Sequence, residues 1–322
     1  ISNQDIEFLK SISRKLEEKI IIGESEVLPS FTIGINMGAD DIIAGADLAL
    51  KKAKELKVDS IVFEKSMQLY EECLAKQTSI VKIKKCIKNK KIVSFFQPII
   101  HLATNQILKY ECLARIDSEG DLLTPDKFLE EAKQARVYYK ITESMINNAF
   151  EYFKDLDLSF SINLDYDDFN NEYIVYYIIN KIIEYNNAHK ITFEILESMK
   201  IADPGKIINF IDIVKELGCK IAIDDFGSGY SNFNYLLDFK IDYIKIDSSL
   251  IKDIDRNLKS VKITKSIVTL AKEMNIKTIA EHVDTESILK TVKNLGIDYA
   301  QGYLFGKPER THLEKNSCNI SL

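Results

Sequence analysis

The sequence predicts an α/β protein whose larger part is a (β/α)8 barrel, preceded by a smaller α/β segment. Three observations carry this reading. Beyond residue 91, eight short β-rich runs alternate with stretches of helical periodicity. Most of the runs are almost wholly apolar, as strands covered on both faces must be. Seven of the eight runs also carry a polar or charged residue near their C-terminal end, as barrel strands do where their ends meet around one mouth.

Residues 1–65 read as part of an α/β domain. Ile6, Leu9, Ile12 and Leu16 give helical spacing from Asp5 to Ile20, and Phe31 to Ile35 form a short β-branched run. Ile43, Ala46, Leu50 and Ala53 then share one face of a helix from about Asp41 to Leu56, and a strand follows at Ser60 to Phe63. Residues 66–90 are charged and read as a solvated helical linker ending in the Lys-rich stretch from Lys82 to Lys91. The barrel is expected over 91–318, with strands at Ile92–Ile99, Gln106–Leu113, Leu158–Leu164, Lys190–Leu196, Lys220–Asp225, Ile241–Ile246, Ile276–Glu281 and Ile297–Leu304. The first two strands are joined by a short polar loop holding Thr104 and Asn105, so the barrel opens with a hairpin. Thr124-Pro125 is a helix start and Gly218 a helix stop. A doubly wound open sheet is the alternative, but it would place a Gly-rich phosphate loop after its first strand, and the sequence has none.

Composition narrows the function classes. With 46% hydrophobic and 29% charged residues the chain is globular rather than disordered. A formal charge of -6 excludes a partner such as DNA held by bulk charge. No apolar run approaches the roughly 18 residues of a membrane span. The five cysteines are scattered, which fits a reducing cytoplasm and no disulfide or zinc framework. The chain opens on Ile1 rather than Met, so a longer protein is expected, whose upstream region would carry a sensor or a membrane tether.

At the predicted strand ends stand Glu111, Asn163, Glu194, the pair Asp224 and Asp225, Lys245, Glu281 and Gln301. A lone Asp after a strand is usually a helix cap, but seven of eight strands aiming polar groups at one mouth is not explained that way. Five carboxylates would face one ammonium, Lys245, and like charges about 4 Å apart repel by about 4 kcal/mol at an effective dielectric of 20. Such a cluster raises its own pKa values or binds cations. Oxygen-only donors select Mg²⁺, Mn²⁺ or Ca²⁺ over zinc, and so many carboxylates suit two ions acting on a phosphodiester. The competing reading is a salt-bridge network plugging the barrel.

These residues lie in motifs that resemble the EAL-domain family of cyclic di-GMP phosphodiesterases. Glu111-Cys112-Leu113-Ala114-Arg115 is similar to the family signature, and Gln97-Pro98-Ile99 to its opening strand. In family order follow Ser161-Ile162-Asn163-Leu164, Phe193 to Glu197, Asp224 to Ser231, Lys245-Ile246-Asp247, Ala280 to Asp284, and Gln301-Gly302-Tyr303 with Pro308. The resemblance implies a modified TIM-like barrel with an antiparallel first strand, and hydrolysis of cyclic di-GMP to linear pGpG with two Mg²⁺ or Mn²⁺ ions. It implies that Glu111, Asn163, Glu194 and Asp224 hold one ion and Asp225 and Glu281 the second, with Asp224 shared. Lys245, Glu281 and Glu111 would carry catalysis. Gln97, Arg115, Asp284 and Gln301 would contact substrate or its water shell, and Glu197 would anchor the loop after Asp225. That loop and the following helix would form a homodimer.

Departures from the family stand at Cys112 for Ala and at His282 and Asp284 for Gly and Glu. Asp284 shortens the reach by one methylene, and His282 replaces a residue used where the backbone needs a special angle. The front segment resembles the C-terminal half of a GGDEF diguanylate cyclase domain through Ser30 to Ile35 and Ala46 to Lys54. Lys51 and Lys57-Val58-Asp59 depart from that pattern, and the GGDEF hairpin itself is absent from the sequence. The alternative function is a cyclic di-GMP receptor that binds without cutting, or a pure interaction module. Both fit poorly, because no expected metal ligand is missing.

Overall fold

A computed structural model describes residues 7–8, 11, 20–22, 25–27, 31–36, 41–63, 67–118, 120–197, 204–228 and 239–312. The chain divides into two compact units, Ile1–Ser79 and Ile80–Leu322. In the first, strands Ile33–Asn36 and Ser60–Phe63 pair in parallel, with helix Ile42–Leu56 between them in sequence. Gly34 lets strand and helix touch, since a Cβ there would lie 2.1 Å from the Ala46 carbonyl oxygen. Most of the helix expected from Asp5 to Ile20 lies outside the described residues. Helix Met67–Lys88 spans the stretch read as a linker. Its C-terminal turns are not solvated all round, because Ile83 and Cys86 are buried in the core of the second unit.

The second unit is a closed barrel of eight strands: β1 (Ile92–His101), β2 (Gln106–Ser118), β3 (Ser159–Leu164), β4 (Ile191–Leu196), β5 (Lys220–Phe226), β6 (Tyr243–Ile246), β7 (Lys277–Ala280) and β8 (Tyr299–Ala300). Strands β2 to β8 pair in parallel around the ring. β1 runs antiparallel to both neighbours and closes the barrel, forming the expected hairpin with β2. Asn105 takes the left-handed conformation (φ 54°) that its tight turn requires. Closure between β8 and β1 rests on two residue pairs, Tyr299 with His101 and Ala300 with Ile100, plus a bridge from Glu309 to Phe96.

Two apolar layers flank the strands. Outside, Ile, Val and Phe residues of the strands pack on the helices; Phe96, Tyr152, Phe153 and Phe160 stack between β1, β3 and helix Tyr138–Phe153. Inside, Ile99, Ala222, Tyr243 and Ile279 form a separate plug. Burial on both faces explains why the strands read as unbroken apolar runs. Among the described residues no helix is long and apolar enough to cross a membrane.

Candidate active site

Strand alternation sends Glu111, Glu194, Lys245 and their neighbours into the barrel, on the far side of the plug from the hairpin turn. Lys245 is the hub. Its Nζ lies 2.7 Å from Glu194 Oε2, 2.8 Å from Glu281 Oε1, 2.9 Å from Asp224 Oδ1 and 3.3 Å from Glu111 Oε2. Burial alone would lower the lysine pKa, but the four carboxylates outweigh it and raise it well above its ordinary value. Glu111 is the best compensated acid, accepting from Asn163 Nδ2 at 2.7 Å and Gln301 Nε2 at 2.7 Å as well as from Lys245. Burial pushes its carboxyl up, yet Lys245 and these two amides leave it below the usual range.

The other acids are less well served. Burial pushes Asp224 up to about 8 and Glu281 to about 7, and it raises Glu194 and Asp225 as well. Among the described residues neither carboxylate oxygen of Glu194 has a hydrogen-bond partner; they reach the ammonium groups of Lys109 and Lys245. Among the described residues two acidic groups result, Glu111 with Glu194 and Asp224, and Asp224 with Asp225 and Glu281, each with one oxygen per residue within 4.8 Å. All donors are oxygens and Asp224 belongs to both groups, so the set fits two adjoining hard cations. Simple alternation would turn Asp225 away from Asp224. It joins the cluster because its φ is 56° and the β5–β6 register shifts between Ile223 and Phe226.

The raised acids give a pH dependence. A carboxyl whose pKa is higher folded than unfolded binds its proton more tightly in the native state, so its contribution is lost as pH rises toward the folded value. For Asp224 and Glu281 that window runs from about pH 4, the ordinary carboxylate range, up to about 8. The chelator-treated protein is expected to show a Tm that falls between pH 6 and 8.5, and millimolar Mn²⁺ should flatten that slope. A Tm that rises over this range would contradict the burial argument.

The rim next to this cluster holds a cavity of about 260 Å³ lined by Gln97, Glu111, Arg115, Glu281, Asp284 and Gln301, among others. Gln97 accepts from Gln301 Nε2 at 3.0 Å and donates to the Gly306 carbonyl at 3.2 Å. Arg115 is partly buried, with its guanidinium 5.7 Å from the Phe95 ring centre. Asp284 accepts from the Tyr303 amide at 2.7 Å, so the shorter acid is used to hold the chain after β8. A second cavity of about 260 Å³ lies between β2, β3 and helix Tyr138–Phe153 and reaches Asn163 and Asp224. Glu197 is buried; its Oε2 accepts from the Gly227 amide at 2.9 Å, tying down the start of the loop after β5. Residues 229–238 of that loop lie outside the described residues.

His282 sits at φ 54°, the left-handed region that favours glycine. Cys112 points into the outer core; burial, then Glu111 and Glu194, raises its thiol pKa well above normal, so it stays protonated and offers the cluster no ligand. Gly302 is fixed by contact: a Cβ there would lie 2.3 to 2.5 Å from backbone atoms of Val283. Gly302→Ala is expected to push apart the turns carrying Gln301 and Glu281, costing about 1–3 kcal/mol and most of the activity. Thermal unfolding and turnover measured together check this. The reading from sequence missed Lys109, a second buried lysine whose Nζ lies 3.8 Å from Glu194 Oε1. Its signal was its position two residues before Glu111 on the same strand.

Residues 80–308 match the family described as the EAL domain. The chain belongs to the EAL domain family. Among relatives of this EAL domain, the cyclic di-GMP phosphodiesterase PdeB of Shewanella oneidensis is 30% identical over 294 residues, which cover 86% of this chain and 34% of that protein. The cyclic di-GMP phosphodiesterase PdeA of Borreliella burgdorferi is 29% identical over 326 residues, covering 93% of this chain and 47% of that protein. The chain thus spans a third to a half of the length of these relatives. Among solved structures, the cAMP- and cyclic-di-GMP-bound form of the EAL enzyme Bd1971 superposes with a TM-score of 0.69 at 27% identity, covering 74% of this chain and 67% of that one. The EAL domain protein of Listeria monocytogenes shares the fold, with a TM-score of 0.67 at 24% identity over 71% of this chain and 93% of that one.

Proposed function

We propose that this EAL domain hydrolyses cyclic di-GMP to linear pGpG with two divalent cations, Mg²⁺ or Mn²⁺. The observation that carries the reading is the pair of acidic groups sharing Asp224, with the Lys245 ammonium in their midst. Glu111, Asn163, Glu194 and Asp224 would hold one ion, and Asp224, Asp225 and Glu281 the other. When bound, the ions would supply an activated water and charge stabilisation at the phosphodiester.

The chain's own groups do the rest. The ammonium of Lys245 offers positive charge where the transferring phosphate gathers negative charge. Arg115 is a guanidinium suited to a phosphate oxygen, beside Gln97, Asp284 and Gln301 in one cavity. Gln301 and Asn163 hold the Glu111 carboxylate in a fixed orientation. Cavities in two sectors of the rim suit a ligand with a base at each end. Glu197 would restrain the loop after Asp225, the segment through which a homodimer would form.

The domain reading is part of the proposal: a partial GGDEF-like segment over 1–65, a helical linker over 66–90 and the phosphodiesterase barrel over 91–318. The parallel strand–helix–strand unit of residues 33–63 supports the first of these. A cytoplasmic location, with any membrane tether upstream, follows from the substrate class.

Incubation with cyclic di-GMP and Mg²⁺ or Mn²⁺, read by chromatography of the nucleotides, tests the activity. Conversion to pGpG is expected. Tight binding with no turnover in either metal from pH 7 to 9 would favour the receptor reading instead.

A further inference from the structure

Lys109 carries a buried charge that the roles above leave unused. It stands on β2 opposite Ile99 and Ser159, two residues before Glu111, so both side chains enter the barrel. Its side chain is 1% exposed, its Nζ lies 4.3 Å from the centre of the Tyr243 ring, and it has no hydrogen-bond partner among the described residues. Around it are the apolar plug of Ile99, Ala222, Tyr243 and Ile279 and, 3.8 Å away, Glu194 Oε1. Glu194 is therefore bracketed by two ammonium groups, Lys109 at one oxygen and Lys245 at the other.

An ammonium held beside an apolar layer by one long ion pair and no hydrogen bond is costly, and an apolar side chain of similar length would cover Tyr243 without that cost. Packing accounts for the stem but not for the charge. Lys109 does compensate charge: when all five carboxylates are ionised, as cation binding requires, Lys245 alone leaves four uncompensated charges and Lys109 reduces them to three. Its ammonium also repels any divalent cation held by Glu194. We propose that Lys109 is a built-in counter-charge that weakens cation binding at Glu111, Glu194 and Asp224. The acid ring thereby stays folded without metal and binds its ion reversibly. This inference rests on the metal-binding reading above. Lys109 acts through Glu194 and is a positioning residue, not one that touches substrate.

Calorimetric titration with Mn²⁺ alone, without nucleotide, tests it on the full chain. Lys109→Met is expected to bind Mn²⁺ at least tenfold more tightly than the wild type, with a larger Mn²⁺-induced rise in Tm. Lys109→Arg, which keeps the charge, should stay within threefold of the wild type. Lys109→Gln, also uncharged, carries the same expectation as Lys109→Met should the latter fail to fold. A role in packing alone would lower Tm equally with and without Mn²⁺ and leave affinity unchanged, which would overturn the inference. Weaker Mn²⁺ binding in both neutral variants would overturn it too. A wild type that binds no Mn²⁺ would instead remove the metal-binding reading, and this inference with it.

Discussion

Lys245→Met is expected to lower turnover of cyclic di-GMP about 10³-fold, the cost of removing one preorganised electrostatic donor from a water-poor site. The ammonium touches four carboxylates and is 1% exposed, so the same change also strips the cluster of its main compensating charge. Breaking a buried ion pair on one side costs about 3–5 kcal/mol, on the order of 10 °C in Tm for a domain of this size. Part of that loss will be offset because Asp224 and Glu281, already pushed up to about 8 and about 7, will take up protons more readily. The stability loss should therefore be larger at pH 8 than at pH 6. Divalent ions should restore much of the Tm but not the rate, because Lys245 supplies none of the oxygen ligands. A variant that regains its rate when Mn²⁺ is added would reduce Lys245 to a structural counter-ion.

Much of this site was legible in the sequence because barrels translate strand ends into a ring. Glu111, Asn163, Glu194, Asp224, Lys245, Glu281 and Gln301 each stand near the end of an apolar run. The structure joins all seven through Lys245 and Glu111. Period-two reasoning alone does not account for two of its residues. Asp225, named with Asp224 at its strand end, faces the cluster because its backbone leaves the β region, a property of φ rather than of residue type. Lys109 reads as solvent-facing, as a lysine in a strand ordinarily does, and its parity with Glu111 is what says otherwise. The last run, Ile297 to Leu304, forms just two residues of strand, since the chain turns at Gly302 against Val283. The Lys-rich helix end reads as solvated by composition, yet Ile83 and Cys86, three residues apart, place one stripe in the core.

Asp224→Asn is expected to move stability and activity in opposite directions. Asp224 is the one acid common to both candidate metal groups. Its carboxyl is pushed up to about 8 by burial, with Lys245 opposing and Glu281, Glu111 and Asp225 adding to the rise. Near neutral pH the folded protein therefore holds this group against its preference, and a neutral amide of the same shape removes that cost. The Asn Oδ1 can still accept from the Asp225 amide, now 3.0 Å from Asp224 Oδ1, so local geometry need not change. The metal-free variant should gain about 1–2 kcal/mol, the size of gain commonly seen when a strained functional group is relieved. The gain should be largest near pH 8, shrink toward pH 4 and vanish below about pH 3, where the wild-type carboxyl is protonated both folded and unfolded. Turnover should fall by at least 10³-fold, because a shared ligand lost from two sites weakens both, and added Mn²⁺ should raise the variant's Tm less than the wild type's. Thermal unfolding with chelator and with Mn²⁺, run beside the nucleotide assay, separates these outcomes. If the variant were less stable without metal and kept its turnover, the cluster would be the salt-bridge plug that the sequence left open, and the carboxylates would be there for the barrel rather than for cations.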